Sequence, residues 1–405
     1  MEAYLLDWLN LLLRWFHLIV GIAWIGASFY FVMLDNSLRP PKKAEDAARG
    51  AHGELWAVHG GGFYCSQKFL TGPKGEPLSD NLHWSKWESY STWLSGMGLM
   101  AVVYWIGAAN MLVDPQVMAL SPAAAVALSI AFLAGGWLAY DGLCRLLMGR
   151  DALLGAAVFC LVMLSDYALH QVFAARAAYL HMGAMLGTIM AANVFFHIIP
   201  GQRRMVAQVR AGETVDTRPG LIGKQRSVHN TYFTLPVLFA MISNHYPMTY
   251  SHPRGWLVLA LLISAGVLIR QFFVLRQRDQ VKWWLPAAGV ALLLALIVTM
   301  RPVPPPPPAP GEAQVSFAEV KQIIDQRCVA CHAAHPTQQG FAQPPKGVTL
   351  ETPAQIGQHV TKMAETVGNK YMPLANLTAM TDAERQQVLL WAAQGGRLSD
   401  DKETP

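Results

Sequence analysis

Residues 302–310 read PVPPPPPAP, and the chain changes character across them. Such a run takes up polyproline II, has no internal hydrogen bonds and advances about 3.1 Å per residue, giving a semi-rigid spacer roughly 28 Å long. Before it, apolar stretches long enough to cross a bilayer follow one another. Behind it come short amphipathic segments with charged faces. The expected organisation is therefore a membrane domain over 1–300, a Pro-rich linker over 301–313 and a small soluble domain over 314–405. Composition agrees: 53% of residues are hydrophobic and only 14% charged, against roughly 45–50% and 25% in ordinary soluble domains. Five cysteines are too few for a disulfide scaffold.

Eight segments before the linker reach the approximately 20 residues that a bilayer requires. They run over 9–34, 90–113, 121–147, 150–174, 175–199, 228–248, 254–276 and 282–300. The sixth is the most polar, with His229, Asn230, Asn244 and His245. Lys and Arg crowd the connections 35–89, 148–149, 200–227 and 277–281 and their flanks. The connections on the other side carry only Arg176 and Arg254. The positive-inside rule then places the N-terminus outside. An even number of spans returns the C-terminus to that side, so both termini are expected in the periplasm of a bacterial inner membrane. The net charge of +5 belongs to these membrane-flanking loops and implies no nucleic-acid partner.

Behind the linker, Cys328-Val-Ala-Cys331-His332 has the C-x-x-C-H pattern of c-type haem attachment. Two thiols one helical turn apart meet the two vinyl groups of a porphyrin, and the histidine reaches the iron from one face. A redox or zinc C-x-x-C is the competing reading. Zinc would want a second pair of ligands, and no other cysteine follows. Residues 316–327 (SFAEVKQIIDQR) read as an amphipathic helix. Residues 381–394 (TDAERQQVLLWAAQ) open on a Thr381/Glu384 capping box and end at Gly395-Gly396. Helix, methionine segment and C-terminal helix with Trp391 resemble small class I-type cytochromes c. That resemblance implies His332 and Met372 as the axial ligands of haem c, with Met363 and Met380 as competitors for the methionine position. The fold class expected is all-α: an eight-helix transmembrane bundle followed by a cytochrome c domain.

Ionisable groups inside apolar spans are functional candidates by default, because lipid makes them costly. His17, His170, His181 and His245 are placed near the outer ends of their helices, and His197 and His229 near the inner ends. Asp141, Asp166, Arg14 and Arg270 also fall in or near spans. Two histidines of the outer group are candidate ligands of a b-type haem, a second haem iron, with His17 and His181 as the preferred pair and His245 and His170 in reserve. His197 with His229 would mark an inner site. The rival reading has these imidazoles bind a substrate or its protons, or simply bridge helices. Residues 52–64 (HGELWAVHGGGFY) alternate polar and apolar residues into a glycine turn, which reads as an interfacial hairpin or as part of a substrate site.

WFHLIVGIAWIGASFYF at 15–31, GELWAVHGGGFY at 53–64, HWSKWESYSTWLSG at 83–96 and the C-x-x-C-H domain together resemble the bacterial membrane-bound, cytochrome-c-linked urate oxidase (urate hydroxylase) family. The resemblance implies oxidation of urate to 5-hydroxyisourate without hydrogen peroxide. Electrons would leave through haem c to a respiratory acceptor, such as a cytochrome c oxidase or a soluble cytochrome. No residue-level active site comes with it. The alternative is a membrane-anchored electron-transfer cytochrome that shuttles between quinol and a terminal oxidase and has no substrate of its own.

Overall fold

The computed structural model describes residues 2–301, 314–338, 341 and 343–398. The proline run at 302–310 lies outside the described residues. All eight predicted apolar segments fall on helix: α1 (Glu2–Ser37), α2 (Trp87–Leu99), α3 (Pro122–Leu146), α4 (Asp151–His170), α5 (Ala175–Arg210), α6 (Arg218–Ile242), α7 (Gly255–Arg276) and α8 (Trp284–Thr299). Five of them, α1, α3, α4, α5 and α7, are long and apolar enough to cross a membrane, and α8 is apolar but shorter. α6 fails on hydropathy for a physical reason: its buried face carries Arg226, Asn230, Thr231 and Thr234. A helix like that is paid for by partners inside the bundle, not by lipid.

α1 shows what surrounds the bundle. It spans roughly 54 Å at 1.5 Å per residue, and Leu5, Leu11, Trp15, Leu18 and Ile22 all stand exposed along it. Apolar surface on that scale is not left to water by soluble monomers. The central core is built instead from α3, α4, α5 and the residues that follow α2, with Tyr140, Leu154, Leu169, Phe173, Tyr179 and Leu186 fully buried.

Three expectations are corrected. The fold is mostly helical but not all-α: strands β1 (Ala51–His59) and β2 (Gly62–Phe69) pair antiparallel. Gly60 and Gly61, at φ +59° and +80°, make the two-residue turn that left-handed backbone allows. The connection expected over 200–227 shrinks to 211–217, because α5 continues as a basic amphipathic helix to Arg210 and α6 already begins at Arg218. Finally, α1 starts at Glu2, so His17 lies about four turns into the helix and near its middle, not near its outer end.

At the basic end of the bundle Asp35 pairs with both Lys68 of β2 and Lys224 of α6, and Arg39 meets Asp279 at 2.5 Å. These links tie the hairpin and the ends of α1, α6 and α7 together. Gly53 lets β1 pass Leu38, since a Cβ there would sit 2.9 Å from the Leu38 Cβ.

A second, separate cluster lies beyond the linker. Helices α9 (Phe317–Arg327), α10 (Val360–Gly368) and α11 (Asp382–Ala393) enclose Val320, Ile324, Met363, Val367, Val388 and Trp391. Thr381 forms the capping box that the sequence announces, and Ser316 forms a second one with Glu319.

Gly61→Val would force a β-branched residue into left-handed backbone at a cost of about 1–2 kcal/mol. Amide hydrogen exchange should then quicken across 51–69 while α3 and α5 stay protected; unchanged protection of the hairpin would contradict the turn assignment.

Candidate functional site

The C-x-x-C-H segment is a single helical turn. α9 ends at Cys328, and the Cys331 and His332 amides both donate to the Cys328 carbonyl, at 3.1 and 2.9 Å. The two thiols thus sit one turn apart on one side, as attachment to a porphyrin edge requires. His332 Nδ1 lies 2.9 Å from the Val348 carbonyl oxygen. That bond engages Nδ1 and leaves Nε2 as the other ring nitrogen. Burial, together with neighbouring Cys331, pushes the Cys328 thiol up to about 12. No group of three or more metal-ligating side chains occurs among the described residues. The residues therefore fit covalent haem attachment better than zinc.

The three methionines separate by environment. Met363 and Met380 are packed into the small core, while Met372 is half-buried on an extended segment. Arg385, only 6% exposed, holds that segment in place. Its Nη1 donates to the Met372 and Val367 carbonyls at 2.6 and 3.1 Å, and its Nη2 to Asn376 Oδ1 at 3.0 Å. Sequence reading missed this arginine. Its signal was available: Arg385 precedes Val388 and Trp391 on the buried face of α11.

Within the membrane half the titratable side chains form two layers. The inner layer is a network across α3, α5 and α6. Asp141 accepts from Arg226 at 2.6 Å and from Arg145 at 2.7 Å, and lies 2.7 Å from His197 Nε2. Asn193 donates to Asn230 Oδ1 at 2.9 Å and to the Tyr140 hydroxyl at 3.2 Å, while Tyr140 meets His229 Nδ1 at 2.8 Å. Arg226 also lies over the Tyr140 ring. Asn193 and His197 stand on a π-helical turn, Asn193–Ile198, a distortion often found at functional positions. His197 and His229 thus belong to one network, as grouped, but joined through Asp141, Arg226, Asn193 and Tyr140. Arg226 was expected in a loop. The spacing of Arg226 and Asn230, and of Asn193 and His197, places each pair four residues apart on one helix face.

The outer layer behaves differently. His181 is fully buried, with Nε2 2.7 Å from Ser129 Oγ, Nδ1 2.8 Å from the Ala177 carbonyl and its ring stacked on Phe173. His17 bonds instead to Thr92 and Ser95 of α2. His245 is exposed in a short turn. No described contact joins any two of these histidines. With both His181 nitrogens engaged, the His17–His181 pair does not fit the ligand set of a b-type haem, and no step is derived through one. His170 is the exception. Nδ1 is held by the Asp166 carbonyl at 2.8 Å and by its carboxylate at 3.1 Å, and the buried Nε2 has no partner. A carboxylate-oriented imidazole with a free nitrogen can hold a proton. The other flagged charges stay local: Arg14 bonds to Asn10, and Arg270 lies 4.2 Å from the Phe29 ring centroid.

Arg226→Gln should destabilise the bundle by about 3–5 kcal/mol, because it strips the innermost partner from a buried carboxylate. Asp141→Asn in the same background should recover much of the loss, as read by thermal unfolding in detergent. Acid should loosen the soluble domain. Its bond to Lys370 holds Asp382 below the usual carboxylate range. At Glu384, burial opposes ionisation but the Thr381 amide and Arg327 outweigh it. Both contributions are present above about pH 4, near the unfolded carboxylate values, and are lost as pH falls through the lower folded values. The thermal midpoint of the domain should therefore fall below pH 4, and less so in Glu384→Gln.

Comparison with known families was made on this arrangement. A family model described as urate oxidase N-terminal matches residues 3–301, all eight helices of the membrane half included. No curated protein and no solved structure matches the chain. Helices, hairpin and inner polar network all fall within the matched span, and the chain belongs to the urate oxidase N-terminal family.

Proposed function

We propose that the chain is a membrane oxidoreductase that converts urate to 5-hydroxyisourate and passes the electrons to a covalent haem c on Cys328, Cys331 and His332. Met372 completes the ligand set in this reading. A respiratory acceptor such as a cytochrome c oxidase or a soluble cytochrome then takes the electrons onward, and no hydrogen peroxide forms. The eight helices cross a bacterial inner membrane, with both termini on the periplasmic side.

The observation that carries this reading is the joining, in one chain, of a urate oxidase N-terminal match to a C-x-x-C-H turn whose histidine is engaged through Nδ1. Urate and water give 5-hydroxyisourate, two electrons and two protons. Haem c, when bound, supplies a one-electron acceptor, so the site must empty twice per turnover. The chain's own residues deal with the rest. His170, oriented by Asp166, can hold a proton at Nε2.

Urate added without oxygen to the purified, oxidised protein should reduce the haem. Cys328→Ala should abolish urate turnover and leave the membrane half folded. Reduction by a quinol with no response to urate would replace this reading with that of an electron-transfer cytochrome.

A further inference from the structure

A cavity of about 300 Å³ opens where the Met372 segment faces the outer ends of the membrane helices. Arg176, Tyr250 and Gln116 line it from the membrane half; Lys370, Tyr371 and Arg385 line it from the other side. Its size falls at the lower end of the roughly 300–1,000 Å³ range of small-molecule sites. Two carboxylates also border it. Asp382 is paired with Lys370 at 2.8 Å, and Asp114 caps its own turn through the Gln116 amide at 2.9 Å. The three cations therefore outnumber the carboxylates by one. Arg176 has no carboxylate partner among the described residues; its Nε donates to Asn244 at 2.9 Å. It is also one of only two basic residues in the outer connections of the membrane half, where the charge pattern otherwise excludes them.

We infer that this cavity binds a planar monoanion of the urate class, held by Arg176 and Lys370 and faced by the Tyr250 and Tyr371 rings. The inference rests on the urate reading above and gives it a location. Chemistry favours this place over the inner network. Tyr371 precedes Met372 directly, and Arg385 both lines the cavity and clamps the Met372 carbonyl, so an occupant would lie against the segment assigned to the electron acceptor. An aromatic ladder leads from the cavity into the bundle: Tyr250 to Tyr179 at 6.1 Å and Tyr179 to His170 at 5.4 Å between centroids. It ends at the imidazole with the free nitrogen. The inner network, by contrast, already satisfies most of its own donors and acceptors and begins at Asn193, 17 residues beyond Arg176 along α5, roughly 26 Å deeper.

The test uses the full-length protein with its haem reduced beforehand by ascorbate and oxygen excluded, so that urate binds without turning over. Urate affinity is then measured by equilibrium dialysis. Arg176→Gln and Lys370→Gln, one on each wall, should each raise Kd about tenfold, and Arg176→Lys should recover part of the loss. Asp382→Asn removes a carboxylate from the cavity and should tighten binding, a change of sign that general damage to the fold would not produce. Unchanged Kd in both glutamine variants, in a protein whose haem urate still reduces, would overturn the site and leave the urate reading standing. A wild-type protein that neither binds urate nor is reduced by it would overturn the urate reading itself.

Discussion

The guanidinium of Arg226, buried among long apolar helices, is the group on which this half of the chain turns. An unpaired charge there would cost several kcal/mol, so the residues about it are obliged to answer it. Asp141 on α3 supplies the counter-charge and Asn193 on α5 an amide oxygen, while the Tyr140 ring lies across its face. Through Asn193 the same network reaches Asn230 and Tyr140 and so closes on α6 again. Three helices are thereby held in one rotational register. Nonspecific apolar packing would not select that register, because lipid tails are as apolar as leucine. The π-helical turn at Asn193–Ile198 belongs to the same solution, since it carries both Asn193 and His197 on the stretch of α5 that faces the network.

The outer layer follows another logic. Apart from the satisfied His181, its polar groups are left partly unanswered: His170 Nε2 and Asp166 Oδ2 are buried without hydrogen-bond partners. Buried groups in that state are held at a cost and are commonly kept for chemistry. Orphaned atoms occur at the basic end as well, where Arg226 Nε and Arg270 Nε and Nη2 are buried without hydrogen-bond partners. The soluble cluster repeats the pattern in miniature. A buried arginine, Arg385, is consumed entirely by the carbonyls and amide of the segment that presents Met372.

Much of this was legible in the residues themselves. Apolar length located the five helices long and apolar enough to cross a membrane, because the thickness of a bilayer is a length that sequence can be read against. The C-x-x-C-H turn and the Thr381 capping box were equally open, being local: three or four neighbouring residues contain the whole interaction. What distance along the chain concealed was pairing. Asp141 and Arg226 lie 85 positions apart, and Arg226 looked like one more loop cation until α6 carried it inward. His17 and His181 looked alike by estimated depth, yet one turns to α2 and the other to Ser129.

Sequence by itself determined where most of the long helices run and which residues form the C-x-x-C-H turn. Tertiary structure alone decided which charges neutralise which, which histidine keeps a free nitrogen, and that Lys370 and Tyr371 face Arg176 and Tyr250 across a cavity. The physical reason is range. Hydrophobic periodicity and capping are set within one or two turns of chain, whereas a hydrogen bond between helices depends on the rotation and depth of both.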